Sequence, residues 1–579
     1  MKSRVSHLRR GFLLLALCAT GCNSDSSSMV RRLPQATSLL VTIGRPDQLT
    51  VEGQSSLRAV IEAAELRGMR WPDFRDYRKE VTRFYEAYSY GLAWVRDMQP
   101  TSQARAAIGL LLKADEKGLS ADDYDGPRWA DRLSRLKPAS QHPKESDAIE
   151  FDVALTVSMM RFLSDLHIGR VNPQHPDFEI DIEDKKYDLP EFLKEQIVDG
   201  SGDASILSRV EPPYPMYQRT IQALRMYMQL ARQDDYEVLP PAKKPVAPGN
   251  LYPGVPRLIR FLRLVGDLPD GVALPANKTI YQGPLVDAVK SFQRRHGLTA
   301  DGRIDASTLW ALNVPLYHRV RQIQLTLERW RWLPSDYQHS PVVVNIPEFR
   351  LRAYGDQFHV AVMMNVVVGK AYGHHTPIFA SKIRYVIFRP YWNVPPSIAR
   401  AEILPAIQRD PDYMARENLE IVDSRENVIR AASLSPEILQ QIRSGALSIR
   451  QKPGPKNSLG LVKFVFPNEY DVYMHDTPAT ELFSKSRRDF SHGCIRLEKP
   501  AELAAWVLRD NPGWTPERIR AAMDGEKTQE VTLTHPIPVL IVYGTVIVLE
   551  DQIVRFYDDI YDLDAELDRD LDKGYPYRR

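Results

Sequence analysis

The sequence predicts a multidomain α+β protein in which a helical N-terminal part precedes a C-terminal part built mostly of β-strands. The 579 residues are enough for several domains with separate cores, and 43% hydrophobic with 26% charged residues is ordinary for globular protein. Between Phe151 and Leu166 apolar residues recur at helical spacing, whereas around Pro467 and Asn468 apolar and polar residues alternate as in a hairpin. These two periodicities predict the two halves of the fold.

The N-terminus has the organisation of an export signal over residues 1–22. Basic residues precede an apolar run at 11–19, which is too short for a permanent membrane span. The signal ends in Ala-Thr-Gly-Cys, which resembles the lipobox of bacterial lipoproteins. That resemblance implies a lipid anchor to a membrane at Cys22, with residues 23–50 as a solvated tether. The small residues 19–21 also suit cleavage by an ordinary signal peptidase.

Residues 51–245 are predicted to form a helical scaffold. One apolar stripe should bury against partner helices, and it consists of Phe151, Leu155, Met159, Phe162 and Leu166. A proline-rich stretch at 238–256 breaks the helical pattern and indicates a semi-rigid linker. A further helix pattern at 317–335 is compatible with a return to the scaffold, which would make the residues between these two segments an insertion.

Residues 249–316 are predicted to form a small module that contains two helices. Leu285, Val289 and Phe292 mark the apolar face of the first helix, and Gly297 suits its C-terminal end. Asp305 can cap the N-terminus of the second helix. Packing alone would explain such a pair of helices, so the pattern by itself leaves a binding role open.

Charge and cysteine content restrict the classes of function. Seventy-six basic residues against 74 acidic ones give a net charge of +2, which argues against nucleic acid as a partner. Cys18 and Cys22 lie in the signal, so the exported body holds one thiol, Cys494, with no disulfide partner. The sequence contains neither CxxC nor HExxH, so it predicts no metal site and no metal or organic cofactor. A lone thiol in an oxidising compartment is either buried and inert or used in chemistry.

The residues around Cys494 favour a nucleophile. A hairpin with strands at 463–466 and 471–475 places His475 at a strand end, and Tyr473 shares its strand face. His492 competes for the role of base, but residues so close in an extended turn point in different directions, so we favour His475. Tyr473 is equally compatible with a core aromatic or with a residue that shapes the pocket.

A helix pattern that starts near residue 498 predicts that Cys494 lies in a tight turn just before a helix N-terminus. The positive end of that helix, the nearby Arg496 and a histidine base would all favour the thiolate. Backbone N–H groups around Gly493 and Cys494 could stabilise an oxyanion. The local sequence therefore predicts thiol acyl transfer.

Several segments together resemble one family. "HD" at 475–476 and "SHGCIR" at 491–496 are similar to the catalytic signature of the L,D-transpeptidases, the YkuD-type cell-wall enzymes. The resemblance extends to "VVVNIPEFRLRAY" at 342–354, "MNVVVGK" at 364–370 and "IVRFYDDIYDLD" at 553–564. These segments resemble the large periplasmic subgroup of Gram-negative bacteria, which adds an N-terminal scaffold and a peptidoglycan-binding domain. The "FQ" and "GLTADG" strings of the 249–316 module are similar to that small domain.

The resemblance implies a mostly-β catalytic domain at 340–560, a partly helical capping insertion at about 396–458 and a C-terminal tail at 561–579. It implies the following roles: Cys494 as nucleophile, His475 as general base, Asp476 as the residue whose backbone carbonyl orients the base, and Gly493 as part of the oxyanion site. Tyr473, Ser491, His492 and Arg496 would contact substrate or line the cleft. One departure is Gly544, where a large aromatic residue is expected.

The function implied is transfer of an acyl group between peptidoglycan stem peptides, with glycan or stem peptide bound by the small module and acylation of Cys494 by carbapenem β-lactams. Water as acceptor would give an L,D-carboxypeptidase, and an envelope protein as acceptor would give protein attachment to the wall. The alternative from another class is a non-catalytic lipoprotein that binds peptidoglycan. The expected location is the periplasm of a Gram-negative bacterium, with an anchor to a membrane.

Overall fold

The computed structural model describes residues 48–577 apart from 137–143, 175–177, 181, 186, 201–203, 275–276, 278, 335–339, 411, 430–434 and 576. The predicted signal peptide, its Cys22 and nearly all of the predicted tether lie outside the described residues. The predicted fold class is confirmed: a helical N-terminal region and a small helical module precede a β-rich C-terminal domain that also carries helices. In the described part of the chain, no helix is both long enough and apolar enough to cross a membrane.

The N-terminal region packs its helices around one central helix. The elements are α1 Val51–Ala63, α2 Arg78–Ala87, β1 Val95–Arg96, β2 Gln99–Pro100, α3 Ser102–Leu111, α4 Trp129–Arg135, α5 Glu145–Ile168, β3 Phe178–Glu179, α6 Leu189–Phe192 and α7 Pro215–Ala231. The predicted stripe from Phe151 to Leu166 lies on α5 and is buried. Burial extends around the whole helix, because α1, α3, α4 and α6 all contact it.

The small module has the two predicted helices, with the predicted caps. Its elements are α8 Val255–Leu264, α9 Pro284–Arg295 and α10 Ala306–Leu312. Gly297 follows α9 with φ +66°, and the Asp305 side chain accepts a hydrogen bond of 2.8 Å from the Thr308 N–H at the start of α10. The proline-rich stretch before α8 buries Leu239 and Val246 in the same core as the module, so it is a packed strap rather than a free spacer.

The C-terminal domain is a β-sheet that closes on itself. Its strands are β4 Val342–Asn345, β5 Arg350–Tyr354, β6 Val360–Gly369, β7 Ile378–Phe388, β8 Trp392–Asn393, β9 Leu419–Val422, β10 Ser448–Gln451, β11 Val462–Val465, β12 Met474–His475, β13 Asp489–Ser491, β14 Ile495–Leu497, β15 Gln529–Val542, β16 Val546–Val548 and β17 Val554–Phe556. Eight of them pair in the order β11, β12, β14, β6, β5, β4, β15 and β7, and β7 pairs with β11 again. Closure leaves these strands without an open edge.

A capping subdomain is inserted between β7 and β11. It consists of the three-stranded sheet β8–β10–β9 with helices α12 Pro396–Ile398, α13 Leu404–Arg409, α14 Tyr413–Arg416 and α15 Pro436–Ser444. Helices near 399–407 and 436–444 are expected from the sequence, and both are present. Its own apolar core includes Ile403, Leu404, Ile421 and Ile449, so this long insertion folds around side chains of its own.

One long helix joins the scaffold to the catalytic domain. This helix, α11 Leu316–Trp332, packs against α5 and α7 of the helical N-terminal region, against β16 of the β-rich C-terminal domain and against α18 near the chain end. Trp330 of α11 also accounts for the departure at Gly544: a Cβ there would lie 2.8 Å from the Trp330 ring. The aromatic volume expected at position 544 is thus supplied by the neighbouring helix.

The predicted domain bounds themselves stay predictions.

The predicted C-terminal tail is folded. After α16 Pro500–Val507 and α17 Pro516–Asp524, the chain ends in α18 Leu563–Asp572 and then returns to the scaffold. The Tyr577 hydroxyl donates to Asp123 at 2.9 Å, the Tyr575 hydroxyl donates to Asp165, and Arg161 lies over the Tyr575 ring. The chain end therefore fastens the catalytic domain to the scaffold.

We expect Tyr575→Ala to lower the free energy of unfolding by about 3–5 kcal/mol, because it removes a buried aromatic side chain and a partner of the buried Asp165 carboxylate. Denaturant-induced unfolding measures the change. Tyr236→Ala is the matched control, since this tyrosine is 55% exposed; equal stability of the two variants would contradict the fastening role.

Candidate active site

Three strand ends bring the predicted site residues onto one face of the closed sheet. In β11 and β12, Lys463 lies opposite His475, and in β12 and β14, His475 lies opposite Arg496. Paired residues on neighbouring strands project from the same face, and so do residues two positions apart. Tyr473 and Cys494, each two residues earlier, therefore join the face that carries His475 and Arg496.

The opposite face explains why this register is fixed. Phe464, Met474 and Ile495 alternate with the site residues along the same three strands, and all three are completely buried in the barrel core. A slip of one residue would bring the charged side chains into that core. Core packing thus holds the site residues in place.

His475 is held in one tautomer by its own strand end. Its Nδ1 lies 2.6 Å from the Asp476 carbonyl oxygen, which can only accept, so Nδ1 carries the proton and Nε2 is the basic nitrogen. The Asp476 carboxylate accepts from the N–H groups of Leu461 and Thr477 and thereby fixes the turn. The contact with the backbone carbonyl is the one that the resemblance implies for Asp476.

The turn that carries Cys494 is fixed by internal hydrogen bonds. The Ser491 hydroxyl donates to the Cys494 carbonyl at 2.6 Å and accepts from the Gly493 N–H at 3.1 Å. Gly493 has φ +114°, which side chains disfavour, and its carbonyl accepts from the Thr376 hydroxyl at 2.7 Å. Ser491 therefore shapes the turn, in addition to lying along the cleft.

The two backbone N–H groups that are predicted to serve an oxyanion differ in this conformation. The Gly493 N–H is already donated to Ser491, whereas the Cys494 N–H has no acceptor among the described residues. The Cys494 N–H is thus the donor available to a developing oxyanion. Gly493 contributes the backbone angle that places this N–H and the sulfur together.

The helix predicted just past the motif is present, but its N-terminus does not adjoin Cys494. Strand β14 follows the cysteine directly, and the next helix, α16, begins at Pro500. The field of a helix end fades within about one turn, so α16 gives the sulfur no useful stabilisation. The helix pattern in the sequence is real, but three residues of strand separate it from the thiol.

Burial keeps both reacting groups neutral in the free site. Burial, together with the charges of Arg496 and Lys463, lowers the pKa of His475 to about 3, against the hydrogen bond to Asp476. Burial raises the pKa of the Cys494 thiol, against opposing effects of Tyr473 and Lys463. The sequence predicts a thiolate, whereas the structure favours a thiol, which contacts the Asp471 carbonyl at 3.8 Å.

Two cations flank the reacting pair without a carboxylate partner. No acidic group of the described residues lies within 4.0 Å of Arg496 or Lys463. Burial lowers the pKa of each of these side chains, and Lys463 Nζ lies 3.6 Å from the centre of the Tyr473 ring. Both residues line the cavity described next, where they can meet a carboxylate.

A cavity of about 930 Å³ opens over this face and is closed on its other side by the capping subdomain. Its walls include Tyr473, His475, Ser491, His492, Cys494 and Arg496, with Trp392, Glu402 and Arg450 from the cap. The size is that of a small-molecule or peptide site. His492 Nε2 lies 2.7 Å from Glu402 Oε1, so it joins the cysteine loop to the cap and is not positioned as the base.

Sequence reasoning missed Lys463, Thr376 and Glu402. Counting residues across the predicted hairpin would have placed Lys463 opposite His475, so a signal existed for that residue. Thr376 and Glu402 are distant along the chain and have no spacing that relates them to Cys494. Within the described part of the chain, no group of three or more His, Cys, Asp or Glu side chains is arranged as a metal site.

The fold and the site define a closed β-sheet domain with a cysteine and a histidine under a capping subdomain. Comparison with known families gives the same domain its description: residues 340–539 match the "L,D-transpeptidase catalytic domain". Residues 79–224 match the "Scaffold domain" and residues 255–312 match the "Putative peptidoglycan binding domain". The resemblance to L,D-transpeptidases with this domain order is thereby confirmed, and the chain carries an L,D-transpeptidase catalytic domain.

A curated relative from Haemophilus influenzae, named "Putative L,D-transpeptidase", is 32% identical to this chain over 260 residues. The aligned part covers 44% of this chain and 51% of the relative, so the chain spans about half the length of the curated relative that it matches.

We expect alkylation of Cys494 by iodoacetamide to be slow at pH 7 and to rise with pH through a thiol pKa above the ordinary value for cysteine, because burial raises that pKa. The rate at pH 7 should be below the roughly 3% of the plateau rate that an ordinary cysteine, with a pKa of about 8.5, would show. The Cys494→Ala variant gives the background from Cys18 and Cys22. A plateau of fast alkylation between pH 5 and pH 7 would contradict a neutral resting site.

Proposed function

We propose that this protein is an L,D-transpeptidase that forms peptidoglycan cross-links by cysteine acyl transfer. The observation that carries the proposal is the row of strand ends that places Cys494, His475 and Arg496 on one face, below a cavity of about 930 Å³. The family match of residues 340–539 supports the reaction class. The substrates named below come from the resemblance to the family.

The first half of the reaction forms an acyl enzyme. The Cys494 sulfur attacks the carbonyl carbon of the amide between diaminopimelate and D-alanine in a donor tetrapeptide stem, and His475 Nε2 accepts the thiol proton. The Cys494 N–H stabilises the oxyanion. The C–N bond breaks, His475 returns the proton to the leaving amine, and D-alanine departs from a thioester on Cys494.

The second half transfers the acyl group. An amine of an acceptor stem attacks the thioester carbonyl carbon and loses a proton to His475. The C–S bond then breaks, and His475 gives the proton to the sulfur. Thiol and imidazole are regenerated, so these residues complete the cycle without a metal or organic cofactor.

Substrate charge can activate the base. The cations Arg496 and Lys463 lower the pKa of His475 in the free site. A substrate carboxylate that pairs with either cation would offset their field and so raise the basicity of the imidazole. Cys494 would then transfer its proton to His475 only when substrate is bound. Between turnovers it would stay a neutral thiol, which is less easily oxidised than a thiolate.

The proposed location is the periplasm of a Gram-negative bacterium, where peptidoglycan lies, with lipidated Cys22 as a membrane anchor. The domain that matches a peptidoglycan-binding family supports peptidoglycan as the polymer partner. The signal and Cys22 lie outside the described residues, so the anchor is proposed from sequence alone.

We expect Cys494→Ala to abolish D-alanine release from purified tetrapeptide stems and to leave binding to intact sacculi unchanged, because it removes only the nucleophile. His475→Ala should lower kcat by about 10²- to 10⁴-fold through loss of the base, with the exposed His535→Ala as matched control. Chromatography of the products distinguishes a cross-linked dimer from the tripeptide that water would produce. D-alanine release that survives in Cys494→Ala would refute the mechanism.

Carbapenem provides a second measurement of the same thiol. Opening of the β-lactam ring by Cys494 should increase the intact mass by the mass of one carbapenem, and Cys494→Ala should show no increase. An unchanged mass in the parent chain would count against a nucleophilic Cys494.

We expect the capping subdomain to gate entry to the cavity. Acylation of Cys494 by a carbapenem should slow hydrogen exchange in residues 400–455, because a filled cavity holds the cap against the sheet. Glu402→Ala should speed exchange in the unliganded cap, since it removes the bond to His492, whereas the exposed Glu526→Ala should not. Identical exchange with and without the adduct would rule out a gate.

A further inference from the structure

A second cavity lies where the small module, α11 and the catalytic domain meet. It measures about 570 Å³, and its walls come from α10, from α11 and from the segment that follows β17. The module and the catalytic domain are in direct contact here: His296 lies between the Phe292 and Phe556 rings, and Gly297 faces Tyr557. Residues of the matched 255–312 region, of α11 and of the chain at 556–559, which follows the matched 340–539 region, thus build one site.

The chemistry of this cavity differs from that of the active site. Trp310 is 62% exposed at its rim and offers a flat aromatic face. His296 is buried and donates its Nδ1 proton to the Phe292 carbonyl, so Nε2 is an acceptor, and it has no partner among the described residues. Burial lowers the pKa of His296 far below its ordinary value, so the ring is neutral.

Donors and a carboxylate complete the lining. Arg319 is buried, donates to Gln322 and to the Ala311 carbonyl, and has no carboxylate within 4.0 Å among the described residues. Its five N–H groups exceed these two bonds. Asp558 supplies an acceptor in the same lining, with the charges of Arg319 and Arg487 acting on it.

We infer that this cavity binds the glycan strand of peptidoglycan, an N-acetylated amino-sugar polymer, through a site shared by the module and the catalytic domain. An exposed indole can stack on the C–H face of a sugar ring. Interleaved donors and acceptors suit hydroxyl and acetamido groups, which are neutral and both donate and accept. The two unpaired cations beside Cys494 suit the carboxylates of stem peptides. The cavity at Cys494 would therefore bind the stem peptides, and the second cavity would bind the glycan. This inference rests on the proposed function.

The chain between the two cavities is short. Arg487, whose charge acts on Asp558, forms a 2.7 Å ion pair with Asp489, and Asp489 begins the strand that leads to Cys494. Five residues extend over about 17 Å at most, and an extended four-residue stem spans about 14 Å. A glycan held near Asp558 would thus lie toward one end of the 487–494 segment, and the thiol lies at its other end.

The test uses the full chain with Cys494→Ala and two probes: glycan strands freed of stems by an amidase, and free tetrapeptide stem. Trp310→Ala should weaken binding of the stem-free glycan at least about ten-fold, and Asp558→Asn about three-fold. Tyr317→Ala removes a 51% exposed aromatic that does not line the cavity and should leave the affinity unchanged. Thermal melts confirm that each variant is folded.

Two results overturn the inference. In one, Trp310→Ala and Asp558→Asn both bind stem-free glycan as tightly as the parent. In the other, they lose free stem peptide but keep glycan, which makes the cavity a peptide site. Carbapenem acylation of Cys494 in the parent chain is scored separately, so an acylated parent with Trp310-independent glycan binding refutes this inference while the proposed function stands.

Discussion

The candidate site depends on the register of three short strands. Lys463, His475 and Arg496 form one row because the residues between them, Phe464, Met474 and Ile495, are the ones that fill the barrel core. The strands β12 and β14 are short, and hydrogen bonds at their ends hold them. The Asp476 carboxylate and the Thr376 and Ser491 hydroxyls bond to backbone groups, so polar side chains fix the geometry of the loops that carry the chemistry.

The electrostatics of the free site keep the thiol and the imidazole neutral rather than ionised. Burial alone would neutralise both the thiol and the imidazole, and the two unpaired cations push the histidine further in that direction. Lys463 and Arg496 are half-buried in the cavity wall with no carboxylate within 4.0 Å in the described part of the chain, which favours an anionic ligand there. A bound carboxylate would pair with these cations and would thereby increase the basicity of the imidazole. Substrate recognition would thus be coupled to activation of the base.

The domains are held together by packing as well as by the chain. Helix α11 buries Glu328 between Arg170 of the scaffold region and its own Arg331, while Arg329 of the same helix pairs with Asp564 of α18. Its Trp330 fills the space beside Gly544, and one apolar core continues from the small module through α7 and α11 into the closed sheet. The module therefore has a fixed position relative to the cysteine, which a flexible linker would not give. A fixed position is what a shared glycan site requires.

Periodicity and motif in the sequence determined the helical region, the two-helix module with its caps at Gly297 and Asp305, the hairpin before His475 and the family of the catalytic domain. These features are local, because they depend on spacing within a few residues. The sequence also favoured His475 over His492, because His475 comes from a separate strand whose end can face the sulfur. Tertiary structure alone decided the rest: closure of the sheet, the strand in place of a helix end after Cys494, Trp330 filling the space at Gly544, and the bond between His492 and Glu402. Each of these joins residues far apart in the chain, and burial, which sets the charge state of the thiol and the imidazole, exists only once those distant segments have packed.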